Sequence, residues 1–156
     1  MTIRTIDYPT AHNPSPIGPG LAAYLHDKAR ANGGVTWNIA NGRSPRTGFA
    51  VAISKRIERI IERPLFDSDI EEFCRDNSQA IAAGNLVFKD QVCLGLWKNE
   101  GKWYLDLSIA CDTLDEALTI GRQSRQLAVY DLANGKDVRI DYDETQPTPV
   151  ADHPWA

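Results

Sequence analysis

The stretch VCLGLWKNEGKWYLDLSI, residues 92–109, decides the fold. Val92, Leu94 and Leu96 alternate with Cys93, Gly95 and Trp97. Beyond Lys98-Asn99-Glu100-Gly101-Lys102 the alternation resumes through Trp103, Leu105, Leu107 and Ile109. A period of two sends successive side chains to opposite faces of a strand, so the segment predicts a β-hairpin with one strongly apolar face. That face needs a cover, and the flanking sequence supplies it.

On the C-terminal side, Thr113-Leu114-Asp115-Glu116 has capping-box spacing and predicts a helix through Arg125, whose Leu114, Ala117 and Leu118 can pack on a sheet. Gln126 to Ile140 predicts a further hairpin, with Leu127 and Val129 on one face, Asn134-Gly135 at the turn, and Val138 and Ile140 returning. On the N-terminal side, Ser68-Asp69-Ile70-Glu71 repeats the capping spacing, and Ile70, Phe73, Cys74 and Ile81 trace one helical face as far as Gly84. Leu21, Tyr24, Leu25 and Ala29 predict another helix from Pro19 to Asn32, with Gly33 ending it.

Between these helices, Val35, Trp37 and Ile39, then Phe49, Val51 and Ile53, alternate around a loop containing Asn41-Gly42 and read as a third hairpin. Lys55 to Arg63 stays open between helix and strand, because Ile57, Ile60 and Ile61 have helical spacing in a short run rich in β-branched residues. The expected order is α-β-β-α-β-β-α-β-β: an α+β fold with an antiparallel sheet built from hairpins, covered on one face by about three helices.

A chain of 156 residues with 42% hydrophobic content suits one domain that needs neither a metal nor a disulfide staple. The expected boundaries are a flexible N-terminal arm over 1–19, rich in proline, a single domain over 20–142, and a flexible tail over 143–156 containing Pro147, Pro149 and Pro154. Seventeen basic and twenty-one acidic residues give a net charge of −4, which argues against affinity won by neutralising phosphates, so nucleic acid is an unexpected partner. Cys74, Cys93 and Cys111 are odd in number, widely spaced and set in apolar segments, as in buried thiols of a cytoplasmic protein. No secretory signal or membrane span can be assigned.

No catalytic or metal-binding spacing emerges, and no cofactor is expected. His26 is the one histidine of the expected domain and is remote in sequence from every cysteine. Asp112, Asp115 and Glu116 suit a helix start better than a cation site, and Asp141, Asp143 and Glu144 lead into the tail. Arg43 and Arg46 flank Ser44-Pro45, where an exposed turn and an anion-receiving pair are both consistent with the residues. Lys55, Arg56, Arg59 and Arg63 are interrupted by Glu58 and Glu62, which reads as a mixed solvated face. For Trp37, Trp97, Trp103 and Tyr104, core packing is the leading expectation. If Trp97 and Tyr104 share the face opposite the helices, they form a partner or ligand platform beside Asp106 and Ser108. The candidate binding residues are therefore Trp37, Asn38, Arg43, Arg46, Trp97, Tyr104 and Asp106.

The phrases Gly34-Val35-Thr36-Trp37-Asn38, Thr47-Gly48-Phe49-Ala50-Val51, Trp103-Tyr104-Leu105-Asp106 and Gln126-Leu127-Ala128-Val129-Tyr130-Asp131 resemble a family of small uncharacterised proteins of actinobacterial phages and other mobile elements. The resemblance spans roughly Gly33 to Ile140. It implies a setting in phage or mobile DNA and carries over no catalytic residue. The leading expectation is a noncatalytic protein-interaction module acting on a host protein, with inhibition of a host or defence factor as its sharper form. A homodimer is also open. One alternative is a small enzyme or binding protein for a nucleotide-like or phosphorylated ligand near Arg43 and Arg46, with Asp106 as acid or base. The other is a nucleic-acid-binding accessory protein.

Overall fold

In a computed structural model, which describes residues 15–142, the hairpin over 92–109 is the centre of the sheet. The eleven described elements are α1 (Pro19–Asn32), β1 (Gly34–Asn38), β2 (Phe49–Ala52), β3 (Arg59–Ile61), α2 (Asp67–Asp76), α3 (Ser78–Val87), β4 (Val92–Asn99), β5 (Lys102–Cys111), α4 (Leu114–Gln123), β6 (Ala128–Asp131) and β7 (Lys136–Arg139). The fold is α+β, with four helices and a seven-stranded antiparallel sheet ordered β1-β4-β5-β2-β6-β7. The strand β3 joins the edge of β5 that β2 also uses, pairing with Trp103 to Leu105 while β2 pairs with Ser108 to Cys111.

Glu100 and Gly101, both at positive φ, form the two-residue turn between β4 and β5 and pair Asn99 with Lys102. That turn suits the twist of antiparallel strands and sets the register of the whole hairpin. Val92, Leu94, Leu96, Leu105, Leu107 and Ile109 consequently share one face and are fully or almost fully buried. The cover comes from α1 on β1 and β4, α3 on β4, and α4 on β2, β5 and β6, with α2 packed on α1 and α3. Leu25, Ile70, Phe73, Ala117 and Ile120 are their buried contributions to this core. Ile17, just ahead of α1, is also fully buried there. Most of the expected arm, and the expected tail, lie outside the described residues.

Thr113 caps α4 as its spacing predicts: its Oγ1 accepts a hydrogen bond from Glu116 N at 3.2 Å, and Asp115 and Glu116 occupy the positive end of the helix. Replacing Thr113 with Ala is expected to cost about 1 kcal/mol, read as a lower urea midpoint with an unchanged m-value. The hairpin of β6 and β7 also forms, around Asp131, whose carboxylate accepts from Asn134 N and Asn134 Nδ2.

Three local expectations are corrected. β1 and β2 are not a hairpin: β1 pairs with β4 and β2 with β5, on opposite sides of the central pair. The Asn41-Gly42 turn exists, but it closes back on Asn38, and residues 43–48 then carry the chain across to β5. The expected helix over 68–84 is two helices, because Asn77 leaves helical geometry and its side-chain amide caps the Phe73 carbonyl at 2.8 Å. The first of them begins at Asp67, ahead of the expected Ser68 cap, and Asp69 Oδ2 reaches back to Phe66 N. The undecided run after Lys55 becomes a turn followed by β3. Among the described residues, no helix is long and apolar enough to cross a membrane.

Candidate functional site

The face of the sheet away from the helices carries the second set of alternating side chains. Strand register orders them in rows: Gly34, Trp97, Tyr104 and Ile60; then Thr36, Gly95 and Asp106; then Asn38, Cys93, Ser108 and Ala52. A further row runs through Ala110, Ala50, Tyr130 and Asp137. Small residues dominate the middle of this surface, and larger ones stand at either side. The result is a cleft of about 820 Å³ bounded by Trp97, Asp106, Tyr130 and the Ser44-Pro45 loop.

Trp97 and Tyr104 are directly cross-strand, and their rings lie 4.1 Å apart at an interplanar angle of 6°. A parallel stack of this kind makes a rigid, amphipathic wall. Trp97 Nε1 donates to Asp106 Oδ2 at 3.2 Å, which ties the wall to the carboxylate beside it. The other oxygen, Oδ1, occupies the space that a side chain at position 95 would take: a Cβ built on Gly95 falls 2.2 Å from it. Gly95 is thus the seat of the Asp106 carboxylate. Burial in this seat pushes the Asp106 carboxyl up to about 6, against the Trp97 hydrogen bond, which lowers it, and with a further upward push from the Glu58 charge.

The sequence-derived candidates divide. Trp97 and Asp106 line the cleft, and Tyr104 stacks on Trp97 from outside the lining. Trp37 does not join them: it points to the helix side, where it meets Tyr24 edge-on at 6.0 Å and packs against the core. Asn38 is buried and structural, its Oδ1 accepting from Ala40 N and Asn41 N while its Nδ2 donates to the Asp90 carbonyl. Arg43 and Arg46 lie outside the cleft lining, although Ser44 and Pro45 between them belong to it. Gly95, Ser44 and Tyr130 are the contributors that reading the strands singly misses. The signal for Gly95 lies in the two-residue turn, since pairing Asn99 with Lys102 automatically sets Gly95 opposite Asp106.

A second cleft, of about 590 Å³, lies at the helix side and includes His26, Arg30, Arg63, Lys98 and Trp103. Its polar groups are committed to one another or to adjacent residues. His26 Nδ1 is 2.7 Å from Asp67 Oδ1, and the imidazole meets Trp103 edge-on. Arg63 grips Asp69 with two hydrogen bonds of 2.9 and 2.8 Å, which holds the Asp69 carboxyl below its ordinary range. Arg30 pairs with Asp27, and the Lys98 ammonium lies over the Trp103 ring. Cys74, Cys93 and Cys111 are buried, and burial pushes each thiol up to about 12, so none is an activated nucleophile. Among the described residues, no group of three or more His, Cys, Asp or Glu side chains is placed to hold a metal ion.

No protein-family model, curated protein or solved structure matches this chain.

Proposed function

We propose that this chain is a noncatalytic recognition protein of a phage or other mobile element, and that it binds a host protein through the face of its sheet opposite the described helices. The single observation that carries this reading is the cleft crossing that face, walled by Trp97, which Tyr104 backs by stacking, and holding the Asp106 carboxylate. Rigid aromatic rings beside a polar anchor are the composition of binding hot spots. Glu58 and Asp137 join Asp106 in the lining against Lys28 alone, so the complementary surface on the partner is basic. Occupying such a surface on a host or defence factor modulates or inhibits it.

A phosphorylated ligand is a weaker reading, because Arg43 and Arg46 stand outside the cleft and the carboxylates inside it repel phosphate. Nucleic-acid binding is weaker still, since Arg59 is paired with Asp76 and Arg63 with Asp69. Capture from an actinobacterial host extract on the immobilised chain tests the proposal. The expected result is a specific host protein retained by the wild type and by an Arg43→Ala/Arg46→Ala variant, and lost at least tenfold in Trp97→Ala and Tyr104→Ala variants that melt as folded proteins. Retention unaffected by Trp97→Ala and Tyr104→Ala, or self-association alone, overturns it.

A further inference from the structure

Resting on the reading of the sheet face as a recognition surface, we infer that the cleft is a receptor for one arginine side chain of the partner protein, its guanidinium bound to the Asp106 carboxylate and laid beside the Trp97 ring. The carboxylate is held in place from two sides before any partner arrives. Trp97 Nε1 fixes Oδ2 at 3.2 Å, and the missing side chain of Gly95 gives Oδ1 a seat over the strand. Preorganisation of this kind lowers the ordering cost of binding. Ser108, only 6% exposed, lies two residues further along the same face of β5 and adds a hydroxyl to the cleft.

Chemistry selects the occupant. A carboxylate flanked by an indole is matched by a cation that is both a hydrogen-bond donor and a planar stacking partner, and guanidinium combines the two where ammonium donates hydrogen bonds but has no planar face to stack. The ring of Trp97 has Tyr104 on one side, while across the strand on its other side β1 contributes only Gly34, which has no side chain. A Cβ at position 34 falls 2.9 Å from Trp97 Cβ, so glycine lets β1 pack closely against the base of Trp97 without adding a side chain of its own beside it. An anionic occupant meets repulsion from Asp106, Glu58 and Asp137.

The charge of the receptor changes within the physiological range. Asp106 is faced by Glu58 from the segment before β3, by the neutral Cys93 thiol of β4 and by Tyr104 on its own strand. Lys28, Tyr130 and Asp137 line the cleft further out. With the Asp106 carboxyl raised by burial to about 6, the receptor is charged at pH 8 and about nine-tenths neutralised at pH 5.

The test titrates N-acetyl-arginine methylamide into the full chain and follows the Trp97 indole N–H by NMR. Saturable shifts are expected at pH 8, roughly tenfold weaker binding at pH 5, and loss of at least tenfold in Asp106→Asn. Asparagine retains an oxygen for the Trp97 hydrogen bond, and a thermal melt of that variant confirms that it is folded. N-acetyl-norleucine methylamide, of similar length and uncharged, is expected to leave the indole signal in place. Equal responses to the two amides, or undiminished arginine binding by Asp106→Asn, contradict the inference. If host-protein capture needs Trp97 and Tyr104 yet is indifferent to Asp106→Asn, the arginine receptor fails while the recognition surface stands. If capture ignores all three side chains, the recognition reading itself fails.

Discussion

Asp106→Asn is expected to make the protein more stable at pH 8, by about 2 kcal/mol, while weakening partner binding. The native carboxyl titrates at about 6, because burial penalises its charged form, whereas the unfolded chain releases that proton near 3.8. Well below pH 3.8, by about pH 3, both states are protonated and the group costs nothing. As pH rises from about 4 to 6 the unfolded state loses its proton first, so stability falls across this window and then levels off. A shift of this size corresponds to about 2 to 3 kcal/mol. Asparagine keeps the shape and the hydrogen bond from Trp97 Nε1 without the charge, so the variant lacks the decline. Paired urea titrations check this: a gap of about 2 kcal/mol at pH 8 that closes by about pH 3 supports it, and an equal gap at both pH values speaks against it. Using the difference between the two proteins also cancels Asp69 and Asp131, whose carboxyls are lowered and act with the opposite sign. A side chain kept at a cost to stability marks a place where function is the stronger constraint.

The second large effect is expected at Gly48, where Ala should destabilise the fold by about 3 to 5 kcal/mol. Gly48 leads into β2 with φ at +89°, a conformation that L residues rarely adopt, and a Cβ there falls 2.3 Å from the Cys111 carbonyl oxygen. The clash is with backbone at the end of β5, so no side chain can rotate away. The same segment anchors the far half of the sheet, since Gly48 O accepts from Leu132 N. Gly33→Ala is the natural control: its φ is +85°, but nothing lies within 4 Å of the added carbon. That variant should lose only about 1 kcal/mol. Equal urea midpoints for the two variants contradict the steric part of the argument.

How much of this is readable in the sequence depends on what each signal encodes. Alternation gives the face on which a residue lies, and it places Trp97, Tyr104 and Asp106 together opposite Leu96 and Leu105. It does not give the partner strand. β1 and β2 alternate cleanly and are close in sequence, so a hairpin is the economical expectation, yet Asn38 folds the intervening turn back on itself. The chain then crosses to β5 along a path that brings Ser44 and Pro45 to the cleft. The two-residue turn at Glu100-Gly101, by contrast, fixes register locally, which is why the β4–β5 core is legible. The helix break at Asn77 rests on one side-chain hydrogen bond to Phe73 within an otherwise continuous apolar stripe, a signal periodicity does not contain. Alternation also separates Trp37 from Trp97: Trp37 keeps phase with Val35 and Ile39, whereas Trp97 keeps phase with Cys93 and Gly95 against Leu94 and Leu96, and the register of β1 on β4 sends the first to the core and the second to the cleft.

The most direct measurement is a carbon-detected NMR titration of the Asp106 carboxyl, alone and with saturating N-acetyl-arginine methylamide. A midpoint near 6 in the free protein, moving down when the guanidinium is bound, is the expected result. A midpoint at the ordinary carboxylate value that the arginine amide leaves unmoved contradicts both the buried seat on Gly95 and the receptor built on it.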